Sequence, residues 1–181
     1  MQFGNLDFQP VAQHLELVAA PVREALAEMD GAEVLAAPID PDVADTAAFC
    51  ERYGIRMADG ANCVIVEGRR GDVVRHAVCM ILATDRIDVN GAVRRLLDVK
   101  KASFAAMDTA TALTAMEYGG ITPIGTPAEW PILVDQAVAA GGHLVIGSGV
   151  RASKLLVTGA VLASLPNAHV VPIAKRAVPA Q

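Results

Sequence analysis

Apolar positions near the start of the chain recur at helical spacing: Val11, Leu15, Val18, Val22, Ala25, Leu26 and Met29. Pro21 is expected to divide this stretch into two helices, and Gly31 to end the second. Glu33 to Ala37 reads as a short strand, stopped by Pro38 and Pro41. Asp45 is placed to cap a helix over Thr46 to Arg52, closed by Gly54. The pattern then changes. Ala61-Asn62-Cys63-Val64-Ile65-Val66-Glu67 and Val73 to Leu82 are two apolar runs joined by the polar Gly68 to Asp72, which predicts an antiparallel hairpin. Asp88 is placed to cap a helix ending at Leu97. Lys101 to Phe104 reads as an edge strand. Asp108 is placed to cap a helix from Thr109 to Glu117, with Gly119 as its left-handed C-cap. Strands follow at Ile132 to Asp135, His143 to Ile146, Ser153 to Val157 and His169 to Ile173. Thr158 is placed to cap a helix between the last two. Hairpins and helices are mixed irregularly, so the pattern predicts an α+β domain with a mixed, largely antiparallel sheet.

Composition narrows the reading. At 181 residues, one domain can bury a proper core. The chain is 53% hydrophobic but only 4% aromatic, so its core is built mainly of Ala, Val, Leu and Ile. The net charge of -5 argues against broad electrostatic binding of a nucleic-acid backbone. A local basic face remains at Arg94, Arg95, Lys100 and Lys101, and it is the first place to look for phosphate contacts. Cys50, Cys63 and Cys79 form no close pair and predict reduced thiols in a cytoplasmic protein. Met1 to Asn5 carries no basic region leading into an apolar stretch, and no apolar run is long enough to cross a bilayer.

Candidate chemistry centres on glycine. Tyr118-Gly119-Gly120-Ile121-Thr122-Pro123-Ile124-Gly125 follows a helix and precedes an apolar strand. Adjacent glycines let another molecule approach the main chain closely, and Pro123 stiffens the loop. A second glycine loop, Gly147-Ser148-Gly149, follows the next apolar run. Bare amides in rigid loops can hold an oxygen that gains negative charge. His14, His76, His143 and His169 are not spaced like a zinc motif, and neither a phosphate loop nor a nucleophile elbow is present. Gly147 to Ala152 fits a dinucleotide pattern, but a strand rather than a helix follows it and no acid lies at the required distance. No cofactor or metal is expected. Cys63 is read mainly as a core residue, with a nucleophilic role as the sharper alternative.

Leu96-Leu97-Asp98-Val99-Lys100-Lys101, the helix after Asp108, the Tyr118 to Gly125 loop, Pro131-Ile132-Leu133-Val134-Asp135 and Gly147-Ser148-Gly149 occur in that order. Together they resemble the YbaK/prolyl-tRNA-synthetase-associated editing domain family. The resemblance runs from about Ala61 to Ile173. It implies a curved mixed sheet, nearly a barrel, flanked by helices. It also implies trans-acting hydrolysis of mischarged aminoacyl-tRNA, typically a small amino acid on a tRNA for proline. The implied catalytic loop is Gly119, Gly120, Ile121, Thr122 and Pro123, which surrounds the aminoacyl carbonyl while the terminal ribose hydroxyl assists the attacking water. The candidate substrate-binding residues, beside the two glycine loops or at their entrance, are Asn62, Asp135, Gly147, Ser148, Gly149 and Arg151. The implied partners are the tRNA 3' end, as aminoacyl-adenosine, and a tRNA synthetase.

One position departs from the family. Where members usually carry a lysine at the start of a strand, this chain has Asn62. Losing one charge-assisted bond costs about 1.5–3 kcal/mol. Lys154 or Arg151 could restore the charge from the other loop. A second function therefore stands beside deacylation: a catalytically weak member that binds an aminoacyl-adenosine-like ligand or a protein partner. By this reading residues 1–60 form a helical extension packed on an editing domain of residues 61–181.

Overall fold

The computed structural model describes residues 1–29 and 31–175. The last six residues of the expected 61–181 unit therefore lie outside the described residues. Eleven strands are present among the described residues. Gln2–Phe3 (β1) and Leu6–Asp7 (β2) form a small hairpin. Gln9–Pro10 (β3), Leu35–Pro38 (β4), Ser153–Thr158 (β10) and His143–Ile146 (β9) make a four-stranded antiparallel sheet in that order. Ala168–Val171 (β11), Ile132–Asp135 (β8), Val73–Leu82 (β6), Ala61–Arg70 (β5) and Lys101–Phe104 (β7) make a five-stranded mixed sheet. A parallel bridge from Gly60 to Val145 joins the two. The α+β class, the antiparallel-rich sheets and the flanking helices are as the resemblance implied. The strands divide between two main sheets, however, and no barrel closes.

Alternation along the strands explains the layering. Val78, Met80, Ile132, Val134, Leu144, Ile146, Leu155 and Val157 fill one core together, fed by strands of both sheets. The intervening residues face outward to second layers, so both faces are buried and the runs read as nearly continuous apolar stretches. Leu35, Ala37, Val145 and Leu156 meet Phe49 and Cys50 of the helix Thr46–Tyr53. Ala77, Cys79 and Leu133 meet Val89 and Val93 of the turn-and-helix segment 89–96 and Leu97, its C-cap.

Most local signals act where the sequence places them. The hairpin pairs Arg70 with Val73, so its turn is only Gly71-Asp72, shorter than expected, and Gly71 takes φ +60°. The Asp88 carboxylate accepts from the amides of Gly91 and Ala92. Thr158 caps its helix, accepting from the Val161 amide. Gly54 closes the Thr46–Tyr53 helix at φ +63°.

Three expectations change. The stretch from Val11 forms two short 3-10 turns, and then a helix, Ala20–Ala27 (α1), in which Pro21 occupies the first turn. Proline fits there because that amide has no intrahelical partner anyway. The helix expected over Thr109 to Glu117 is Met107–Thr114, begun by Ala106 and ended by Ala115 at φ +54°. Asp108 therefore lies inside its first turn, and Gly119 is not its C-cap. The N-terminal stretch is more than helical: β3 and β4 complete the sheet that carries β9 and β10. No helix among the described residues is long and apolar enough to cross a membrane.

Candidate active site

The main sheets open a cavity of about 510 Å³ where β5 begins and β9 ends. Both glycine loops reach it. Gly119 and Ile121 line it from one loop and Gly147 from the other, with Asn62, Cys63 and Lys154 on the remaining walls. Many other lining residues are small, including Ala44, Gly60, Ala61, Ala105 and Ala110.

The loops are laced together by their own backbone. The Gly149 amide donates to Gly120 O at 2.7 Å, and the Glu117 amide to Gly149 O at 2.9 Å. Glycine is required at this crossing. A Cβ on Gly147 would lie 2.3 Å from Gly120 O and 2.5 Å from Ile121 O; one on Gly120 would lie 2.5 Å from Val150 O. Glu117 adds a clamp, its carboxylate accepting from the Arg151 amide at 2.6 Å. The second loop is also anchored to α1, because the Ala19 amide donates to Ser148 O. The Gly120 amide is consumed by Glu117 O. By contrast, the amides of Gly119 and Ile121 donate to no acceptor among the described residues, and these two border the cavity.

Lys154 is the cation inside the site. It is only 7% exposed, on a strand otherwise apolar from Leu155 to Val157. Its Nζ donates to Ala44 O at 2.9 Å and to Gly119 O at 3.5 Å, and it sits 5.5 Å from the centroid of the Phe49 ring. Burial pushes its pKa down to about 8, and the Arg151 guanidinium adds to the effect; Asp45 and Cys50 oppose it. Lys154 thus remains mostly protonated at neutral pH and ties the first glycine loop to Ala44, just ahead of the Asp45 N-cap of the Thr46–Tyr53 helix. Sequence reading placed it only as a substitute cation. Its signal was a lone lysine in an apolar strand, a type almost never buried without a partner.

The expected site residues do not all gather here. Asn62 borders the cavity, and its amide oxygen accepts from the Thr46 hydroxyl at 2.8 Å. Arg151 stands beside the first loop, donating to Tyr118 O and Pro41 O. Gly120, Ser148 and Gly149 are buried behind the cavity wall; the Ser148 hydroxyl is engaged with Val150 O and Ser153. Thr122 is fully buried, its hydroxyl without a partner. Pro123 lines a different, more apolar cavity with Met29 and Trp130. Asp135 lies outside the site: one carboxylate oxygen caps Ala137, and the other accepts from the amides of Ile173 and Ala174, each at 2.9 Å. Its role there is to hold the chain after β11. Cys63 lines the cavity, but burial and the neighbouring Cys79 push its thiol up, away from the reactive thiolate.

The aminoacyl-tRNA editing domain model matches residues 40–165. The chain belongs to this aminoacyl-tRNA editing family. The match begins ahead of Ala61, from which the motifs were traced, and so takes in Ala44 and Phe49 of the cavity wall. The editing fold is also seen in solved structures. A candidate trans-editing enzyme for prolyl tRNA synthetase superposes with a TM-score of 0.73 at 16% identity, over 94% of this chain and 100% of that one. A structure from work grafting epitope backbones onto scaffold proteins gives 0.73 at 19% identity, over 87% and 97%. A hypothetical protein gives 0.66 at 17% identity, over 76% and 86%. At these identities the likeness is one of fold. No curated protein sequence matches the chain.

Proposed function

We propose that this editing-family protein hydrolyses mischarged aminoacyl-tRNA in trans, releasing a small amino acid from a tRNA of the proline type. The observation that carries the reading is the meeting of the two glycine loops and Lys154 on one cavity. Its volume suits a terminal adenosine bearing a short amino acid. Small lining residues leave room for a small side chain but little more. The free amides of Gly119 and Ile121 would stabilise the oxygen that becomes negative when water attacks the ester carbon. As the tetrahedral intermediate collapses, the carbon–ribose oxygen bond breaks. The ribose oxygen takes a proton, and the amino acid leaves as its carboxylate. Lys154 holds the Gly119 carbonyl and supplies positive charge near the RNA end. A hydrolytic pocket of this kind removes errors that a synthetic site, discriminating weakly between small side chains, lets through.

A second reading, binding without efficient turnover, is favoured by Asn62. At the position where the resemblance implies a lysine, this uncharged side chain is occupied by Thr46. A panel of mischarged tRNAs tests both. Deacylation that is lost on Gly119→Val or Lys154→Met supports the enzyme. Tight binding of the same tRNAs with no release of amino acid by the native protein would leave the binding module in its place.

A further inference from the structure

A second groove, of about 440 Å³, lies against the edge strand β7. It is lined by Glu67, Arg69, Asn90, Arg94, Lys100 and Lys101, with Ala102 and Ser103. Arg94, Lys100 and Lys101 are exposed and form no ion pair among the described residues. Arg69 is held by Glu67 at 2.8 Å, which is the groove's acidic counterweight. Such a gathering of unpaired cations stands out in a chain of net charge -5. β7 leads out of this groove and into the cavity: Lys101 to Ser103 line the first, Phe104 and Ala105 the second. Three strand residues span about 10 Å, a reach on the order of one or two phosphate-to-phosphate steps along one strand. Phe104, Met107 and Tyr118 are exposed at the cavity, and the two aromatic rings offer faces on which bases can stack.

We propose that this groove grips the phosphate backbone of the RNA strand whose 3' end enters the cavity. The proposal rests on the editing reading for the identity of that strand. Arg94, Lys100 and Lys101 contact phosphates a short distance before the terminal nucleotide, and Phe104 with Tyr118 guides the bases between. These contacts carry no base information, so they supply affinity rather than choice of tRNA.

The test compares native protein with Arg94→Ala/Lys100→Ala/Lys101→Ala. A control, Arg23→Ala/Arg52→Ala/Arg56→Ala, removes the same charge elsewhere. Binding of uncharged tRNA is measured from low to physiological salt, and hydrolysis of a 3'-aminoacyl-adenosine is measured alongside. The groove variant is expected to lose at least tenfold in tRNA affinity, with the slope of log K against log salt shallower by about 2 to 3. Its hydrolysis of the small substrate should match native. Equal affinity and slope in native and groove variant overturn the proposal, as does an equal loss in the control. If native protein hydrolyses neither the 3'-aminoacyl-adenosine nor the mischarged tRNAs, yet the groove variant alone loses tRNA binding, the groove stands and the deacylase reading falls.

Discussion

Replacing Lys154 by Met separates what the fold needs from what the site needs. The buried ammonium titrates near 8 rather than the ordinary 10.5, which corresponds to about 3 kcal/mol of cost to the folded state at neutral pH. Below pH 8 the folded and unfolded chains both carry the proton, and that cost is felt in full. Between pH 8 and 10.5 the unfolded chain keeps a proton that the folded chain gives up, so stability rises with pH by about 2.5 kcal/mol from pH 7 to 10. Methionine fills similar space without the charge. It forfeits the bond to Ala44 O, worth about 1 kcal/mol. Lys154→Met should therefore be more stable than native by about 2 kcal/mol at pH 7, and slightly less stable at pH 10. Urea denaturation of both proteins across this range measures the difference directly and cancels the titration of other groups. A difference that stays flat from pH 7 to 10 would refute the claim that Lys154 is buried charged. Deacylation at pH 7 should fall at least tenfold in the same, more stable protein. A buried charge that costs stability where an apolar side chain would fit is more readily explained by function than by architecture.

Asp135→Ala should destabilise by about 2–5 kcal/mol, because three backbone donors lose their acceptor; a thermal melt within 2 °C of native contradicts the structural role given to it. Gly147→Ala must push its Cβ against two backbone oxygens, so deacylation should fall about a hundredfold as the loops part; unchanged turnover would mean that the loops' spacing is unimportant. Thr122→Val removes a buried hydroxyl that has no partner and should raise stability by about 1 kcal/mol without changing turnover; loss of turnover in a stably folded variant would return Thr122 to the catalytic loop. Cys63→Ala should retain deacylation, since the thiol is held away from its reactive form; abolition of activity would revive it as the nucleophile.

What the sequence made legible, and what it did not, follows from the range of each interaction. The β5–β6 hairpin was readable because its pairing is closed by a two-residue turn. The pairing of β4 with β10 was not, because partners more than a hundred residues apart leave no local signature. That missed pairing matters to the site: it helps to seat Lys154 among Ala44, Phe49 and Gly119, which come from two distant parts of the chain. The glycines were found for a sound reason, but their work divides. Gly120 and Gly147 are glycines because two backbones cross there, while Gly119 and Ile121 leave their amides without an acceptor among the described residues. Asp135 shows the converse. A polar residue at the end of an apolar strand reads as chemistry, yet its carboxylate is spent on three amides of its own chain. Lys154 sits in the same kind of apolar strand, but its burial leaves it with carbonyls and an aromatic ring for company and, among the described residues, no carboxylate bonded to it. Of two buried ionisable groups, the one whose protein partners leave its charge uncompensated is the one positioned to meet an anionic ligand.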